Sequence, residues 1–163
     1  MPIVYHCFGG AHSSPVAAAI HLGMLPLDGT PPPEAIRAVP HFDTTPTDHW
    51  GRLLPMGQDA HGHAVFVMGH GPHAKLALQA LLDGYRLGGG DPEQLMVVDT
   101  LRCVNVWMRV GGYLSRRLGL VRLGRPLVIW GTRRAYPRLA SLVRETLARC
   151  SATHADADMR PRS

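Results

Sequence analysis

Long hydrophobic runs are missing from this chain. The longest apolar stretch near the N-terminus, Val16 to Leu25, is broken by His21 and Gly23 and falls well short of the roughly 20 residues that a membrane-spanning helix needs. No basic segment precedes it, which argues against a secretory signal. Cysteine is scarce. Cys7, Cys103 and Cys150 stand far apart and form no Cys-x-x-Cys pair, so no disulfide framework is spelled out and a reducing cytoplasm is the expected compartment. Aromatic residues make up only 6 % of the chain and the basic residues form no extended run. Without aromatics interleaved among basic residues there is no stacking track for single-stranded nucleic acid. The expectation is a cytoplasmic protein with neither membrane nor nucleic acid as its partner.

What is present is globular. The chain has 163 residues, 45 % of them apolar and 18 % charged, enough for one domain with its own core. We expect a single domain over 1–150 and a disordered tail over 151–163, where small polar residues dominate. Charge is unevenly spread. Residues 1–100 carry 4 Lys/Arg against 9 Asp/Glu and residues 101–163 carry 13 Arg against 3 Asp/Glu, so the two parts stand at −5 and +10. A part that basic attracts phosphorylated small molecules or acidic protein surfaces through its summed field. It sets no oligomeric state.

Ile3 to Cys7 is short and wholly apolar apart from His6, the pattern of a strand buried on both faces. Gly9-Gly10 is a turn, Ser13 or Ser14 can cap a helix, and Pro15 suits its first position; the helix runs to about Leu22 and stops at Gly23. Leu25 to Thr47 is a proline-rich loop with a short helix at Pro33 to Ala38. Arg52–Met56 and His63–Met68 flank turn residues and form a hairpin. A helix over Pro72–Leu87, a strand over Leu95–Asp99, a helix over Leu101–Leu118, a strand over Leu127–Trp130 and a helix over Tyr136–Ala148 complete the chain. Strands alternating with helices specify an α/β fold: one open, mainly parallel sheet with helices on both faces and an edge β-hairpin.

In such sheets ligands collect at the carboxyl ends of the strands, which singles out Cys7–Ser14, His70–Lys75, Asp99–Arg102 and Gly131–Arg134. Gly9, Gly10, Ser13 and Ser14 would form an anion cradle at a helix N-terminus, with Arg102 or Arg133 assisting. Cys7, at a strand end facing that helix and close to His6 or His12, has the setting of a nucleophilic thiol. His12 would be its proton partner, and Asp99 an acid or an orienting group, or simply the cap of its own turn. Ten histidines raise the question of zinc. The best set would be Cys7, His12, His70 and His73, but no pair has a strong ligand spacing, so no metal or cofactor is assigned. Arg102, Arg109 and Arg116 recur every seven residues on nearly one helical stripe: Arg102, at the helix start beside Asp99, would point into the crevice, and Arg109 and Arg116 would meet an acidic partner. Gly111-Gly112 in mid-helix implies a close approach by another element.

The stretch from Cys7 through Ser14, Pro15 and Ala17 to Ala19 resembles the loop of the low-molecular-weight tyrosine phosphatases and their arsenate-reductase relatives. The resemblance implies a thiol-dependent phosphatase or oxyanion-reductase-like enzyme using Cys7. One departure matters: the arginine that clamps the phosphoryl oxygens in that family is Ser13 here, a loss worth several kcal/mol of transition-state stabilisation for which Arg102, Arg109 or Arg133 could substitute. A longer resemblance runs through His6-Cys-Phe-Gly-Gly-Ala-His-Ser-Ser14, Pro40-His-Phe-Asp43, Val98-Asp-Thr-Leu101, Arg109-Val-Gly-Gly112, Ser115-Arg116 and Gly124-Arg-Pro-Leu-Val128. These blocks are similar to an uncharacterised bacterial family, a domain of unknown function of type 3189 associated with spore-forming Gram-positives. That likeness implies a cytosolic protein and assigns no activity. From the residues we expect an anionic, phosphate-bearing small molecule at the first strand-to-helix loop, with docking of an acidic partner by the Arg-rich second half as the alternative.

Overall fold

Ile3, Val4 and Tyr5 are all fully buried, because the strand that carries them has a parallel neighbour on each side. A computed structural model describes residues 1–158, and in it four strands form one sheet: β1 (Pro2–Cys7), β2 (Leu53–Gln58), β3 (Ala64–Gly69) and β4 (Met96–Asp99). The order is β2-β3-β1-β4. β1 is parallel to β3 and β4, and β2 closes one edge antiparallel to β3 with a register shift between Pro55 and Gly57. The expected edge hairpin and the mainly parallel open sheet are therefore both present.

Among the described residues five α-helices surround the sheet: α1 (Ser13–His21), α2 (Pro33–Arg37), α3 (Ala74–Leu87), α4 (Val106–Gly112) and α5 (Val121–Asp158). Side chains of a strand alternate between faces, and the core divides accordingly. Ile3, Tyr5, Val65, Val67, Met96 and Val98 pack with Val16 to Ile20 of α1 and with Val128, Tyr136, Leu139 and Val143 of α5. Val4, Met68 and Leu95 meet Leu78, Leu81, Leu82 and Tyr85 of α3 on the other face. No residue of α3 is fully buried, so this second layer is the thinner one.

Two expected elements differ. Leu127–Trp130, read as a strand, lies inside α5. A four-residue apolar run does not distinguish a buried strand from a buried helical turn, and here Val128 is the side chain that packs into the core while Trp130 stays partly exposed. Gly131–Arg134 consequently do not form a loop at a strand end. The helix expected over Leu101–Leu118 is divided into a 3₁₀ turn at Leu101–Cys103, α4, and a wide π-type turn at Tyr113–Arg117. Asn105 causes the break by accepting from the Met108 N–H (3.0 Å), an N-cap that starts a new helix. The helix α5 continues to Asp158, taking in the first part of the segment expected to be a tail; 159–163 lie outside the described residues.

α4 and α5 touch through glycines, as Gly111-Gly112 implied. A Cβ on Gly111 would stand 2.7 Å from Val128 N and 2.9 Å from Gly124 O. Gly111→Ala is therefore expected to lower the unfolding free energy by about 1–3 kcal/mol through overpacking. Gly84→Ala, at a helical position with open space around it, should raise it by about 0.4–1 kcal/mol. Urea titration of both variants checks the pair; equal effects would contradict this packing.

Candidate functional site

The turn after β1 is built by glycines packed on glycine. Gly10 has φ +66°, and a Cβ there would stand 2.7 Å from Gly69 N; one on Gly69 would meet Gly9 C at 2.7 Å. The close approach is held by His70 N–H to Cys7 O (3.1 Å) and Gly71 N–H to Phe8 O (2.9 Å). It folds the loop back over its own cysteine. The Gly10 N–H donates to Cys7 Sγ at 3.2 Å, and Ser14 Oγ lies 3.2 Å from the same sulfur. Gly10, Ser14 and Cys7 are thus brought together as expected, but Ser14 is turned to the sulfur. Ser13 is likewise committed. Thr100 Oγ1 donates to His6 O (2.8 Å), so the Ser13 hydroxyl must donate to Thr100 (2.8 Å). Both serines are buried and brace the loop from α1.

His12 is oriented by Asp43 and not by Asp99. Its Nε2 donates to Asp43 Oδ1 at 3.0 Å, and Gly112 leaves room for the ring, since a Cβ there would stand 3.0 Å from His12 Cε1. The Asp43 carboxylate also accepts from Ser115 Oγ (2.8 and 2.9 Å) and Arg125 Nε (2.8 Å). Burial alone would push this carboxyl up, but hydrogen bonds from His12, Arg125 and Ser115 outweigh it and hold it down at about 2. Asp43 adopts φ 54°, a left-handed conformation that few side chains tolerate and that aspartate adopts more readily than most. Arg116 anchors the same segment by donating to the carbonyl oxygens of Asp43 and Thr45. Asp99 instead caps the next turn, accepting from Leu101 N–H at 2.8 Å.

A cavity of about 530 Å³ opens at this end of the sheet, lined by Cys7, Gly9, Ala11, His12 and Ser13 from the loop, and by Arg109, Arg116 and Arg117 from α4 and the wide turn. Phe8, Trp50 and Tyr113 add aromatic walls. The side chains of Arg109 and Arg117 make no hydrogen bond or ion pair among the described residues, nor do the backbone N–H groups of Gly9, Ala11 and His12. Arg102 and Arg133, expected to assist the cradle, do not line it. Arg102 pairs with Glu145 (3.4 Å) and Arg133 donates to Pro31 O (3.3 Å). Of the histidines weighed for zinc, His70 turns its Nδ1 to Gly71 O (2.8 Å) and packs its ring on His6, and His73 is exposed. Among the described residues no three His, Cys, Asp or Glu side chains are grouped to hold a metal ion.

Asp43, Ser115, Arg116 and Arg125 all fall within the blocks that carried the longer resemblance, and residues 2–147 match a family described as Protein of unknown function (DUF3189). The chain belongs to that family. No curated protein and no solved structure matches it. Membership in DUF3189 brings no assigned activity, so the chemistry rests on the geometry above. Among the described residues no helix is long and apolar enough to cross a membrane. The signal for Asp43 was present in the DUF3189 blocks as Pro40-His-Phe-Asp43. What local reading lacked was any reason to bring that segment to His12.

Proposed function

We propose that this chain binds an anionic, phosphate-bearing small molecule at the first strand-to-helix loop. One observation carries the reading: at the carboxyl end of the central strand, where strand order reverses, a cavity joins unpartnered backbone N–H groups to two arginines without acidic partners. Arg109 and Arg117 replace the assistance expected from Arg102 and Arg133. A volume of about 530 Å³ is in the range that accommodates a small organic ligand and not only a bare anion.

A second reading, favoured by the donors at Cys7 Sγ, is thiol-dependent phosphate-ester hydrolysis. His12, whose Nε2–H is held by Asp43, takes the Cys7 thiol proton on Nδ1; Sγ attacks phosphorus, forming the S–P bond as the ester P–O bond breaks, and Nδ1 passes that proton to the leaving oxygen. Water then attacks phosphorus and breaks the S–P bond, giving up a proton to His12 Nδ1, which returns it to Sγ as phosphate leaves and the cysteine is restored. Binding does not require this step.

Iodoacetamide labelling with peptide mapping tests both readings. Burial pushes the Cys103 and Cys150 thiols up, so these should label slowly, whereas Cys7, lining the cavity, should label faster and be protected by inorganic phosphate or arsenate. Arg109→Ala should weaken that protection about tenfold or more, as loss of a charge-assisted contact does. Labelling of Cys7 indifferent to either oxyanion would remove the anion reading. Hydrolysis of a chromogenic aryl phosphate, absent in Cys7→Ser with oxyanion binding retained, separates turnover from binding.

A further inference from the structure

Residues 100–144 contain ten arginines and neither a lysine nor an acidic residue. They form α4, the wide turn and more than half of α5. The two helices lie side by side through Gly111, Gly124 and Gly131, where an added Cβ would fall within 3 Å of the opposite backbone. Away from that contact Trp107 and Val110 of α4 and Leu123 and Trp130 of α5 are 41, 44, 67 and 42 % exposed. Helical spacing places Trp107 and Val110 on one line and Leu123 and Trp130 on another. The two indoles meet edge to face, 5.0 Å between centroids, so both lines lie on one side of the helix pair. Arg134 stands over the Trp130 ring at 4.5 Å, and exposed Arg122 and Arg138 lie along the same helix. None of these three arginines forms an ion pair among the described residues.

We propose that this α4–α5 face docks an acidic amphipathic helix of a partner protein. Two helices in side-by-side contact leave a groove along their seam that a third helix fills, apolar side inward. The groove is walled by tryptophan and edged by arginine, residue types that dominate protein-binding surfaces, and the arginines select carboxylates by bidentate pairing. A second copy of the chain is disfavoured because it would bring two basic rims together. A bilayer is disfavoured because both tryptophans are more than half covered in place and do not project as an inserting edge. The sequence placed acidic docking on Arg109 and Arg116. Arg116 is occupied by the carbonyls of Asp43 and Thr45 and Arg109 lines the cavity, which moves the docking face to the opposite side of α4 and makes it independent of anion binding.

The test uses the full chain and a synthetic helix of about 20 residues, long enough to be partly helical alone, with leucine on one face and glutamate on the other. Tryptophan fluorescence should saturate with a Kd at or below about 100 µM, while the same peptide with lysine for glutamate should not bind. Leu123→Glu and Arg134→Ala, both at exposed positions, should each weaken the glutamate peptide about tenfold or more and leave oxyanion protection of Cys7 unchanged. No saturation by the glutamate peptide, equal binding of the lysine peptide, or indifference to both substitutions overturns the proposal. So does sedimentation showing that this face pairs two copies of the chain, or binding confined to vesicles of anionic phospholipid.

Discussion

Asp43→Ala is expected to unfold in urea with about 3–5 kcal/mol less stability than the parent chain. The size follows from what the substitution strands. The carboxylate is fully buried among a histidine, a serine and an arginine, and removing it leaves the partly buried Arg125 guanidinium, 28 % exposed, without its counter-charge. It also releases the His12 ring and loosens the segment that Arg116 and the Asp43 N–H to Ala11 O bond (2.8 Å) hold beside the loop. Oxyanion protection of Cys7 should fall together with stability. Asp43→Asn keeps the shape and one acceptor and should lose less stability, but its amide presents two donors to a site already filled with donors. A loss below about 1 kcal/mol in the alanine variant would place the carboxylate among the weak surface ion pairs and contradict the geometry described here.

A second large effect is expected at the opposite end of the sheet, where Asp59 gathers a buried polar network. Its Oδ1 accepts the backbone N–H groups of His61 (2.9 Å) and His63 (2.8 Å), and its Oδ2 meets His63 Nδ1 (2.8 Å) and His21 Nε2 (3.1 Å). His21 Nδ1 lies 2.8 Å from the Tyr5 hydroxyl. Burial pushes Tyr5 up and His21 down, so Tyr5 keeps its proton and donates to Nδ1, and the neutral imidazole donates from Nε2 to Asp59. Asp59→Ala is expected to lose about 3–4 kcal/mol, since buried donors are left without an acceptor.

The same groups set the acid response. Burial holds His6 and His21 below the ordinary histidine value, so the unfolded chain binds protons there before the folded one and stability starts to fall as pH drops through about 6.5. Burial opposes, but hydrogen bonds win, in holding Asp43 at about 2 and Asp59 well below the usual carboxylate range. Their contribution is complete above about 4 and is lost as pH falls from there towards about 2, with Asp43 alone accounting for about 2 kcal/mol. In both windows the unfolded state takes up more protons, so the urea midpoint should decline in two arms between pH 7 and pH 2. Asp59→Asn should flatten the lower arm and, because the Asp59 carboxylate is what raises His21 against burial, steepen the upper one. An unchanged lower arm in that variant would show that the network carries no proton linkage.

Several parts of this molecule could be read locally. Ile3 to Cys7, Gly9-Gly10 and Ser13-Ser14-Pro15 announce a buried strand, a tight turn and a helix start because each depends on residues within one turn of one another. Gly111-Gly112 announced a close approach for the same reason: two adjacent helical glycines are a local cost that a neighbouring element explains, here the α5 backbone at Gly111 and the His12 ring at Gly112. Local reading failed at Leu127–Trp130, where apolar character without length leaves strand and helix equivalent. It also gave no sign that the Ser13 and Ser14 hydroxyls brace Thr100 and Cys7.

The sequence by itself determined that a glycine turn, a cysteine and a helix start stand at the carboxyl end of the first strand, and that the positive charge lies in the second part of the chain. Only the tertiary structure decided which charges meet that turn. His12, Ser115 and Arg125 reach Asp43 across separations of 31, 72 and 82 residues, and Arg109 and Arg117 reach the cavity because glycines at 111, 124 and 131 let α4 lie directly on α5. Propensity and periodicity act over a few residues, whereas these meetings depend on how two helices pack against each other and over the sheet.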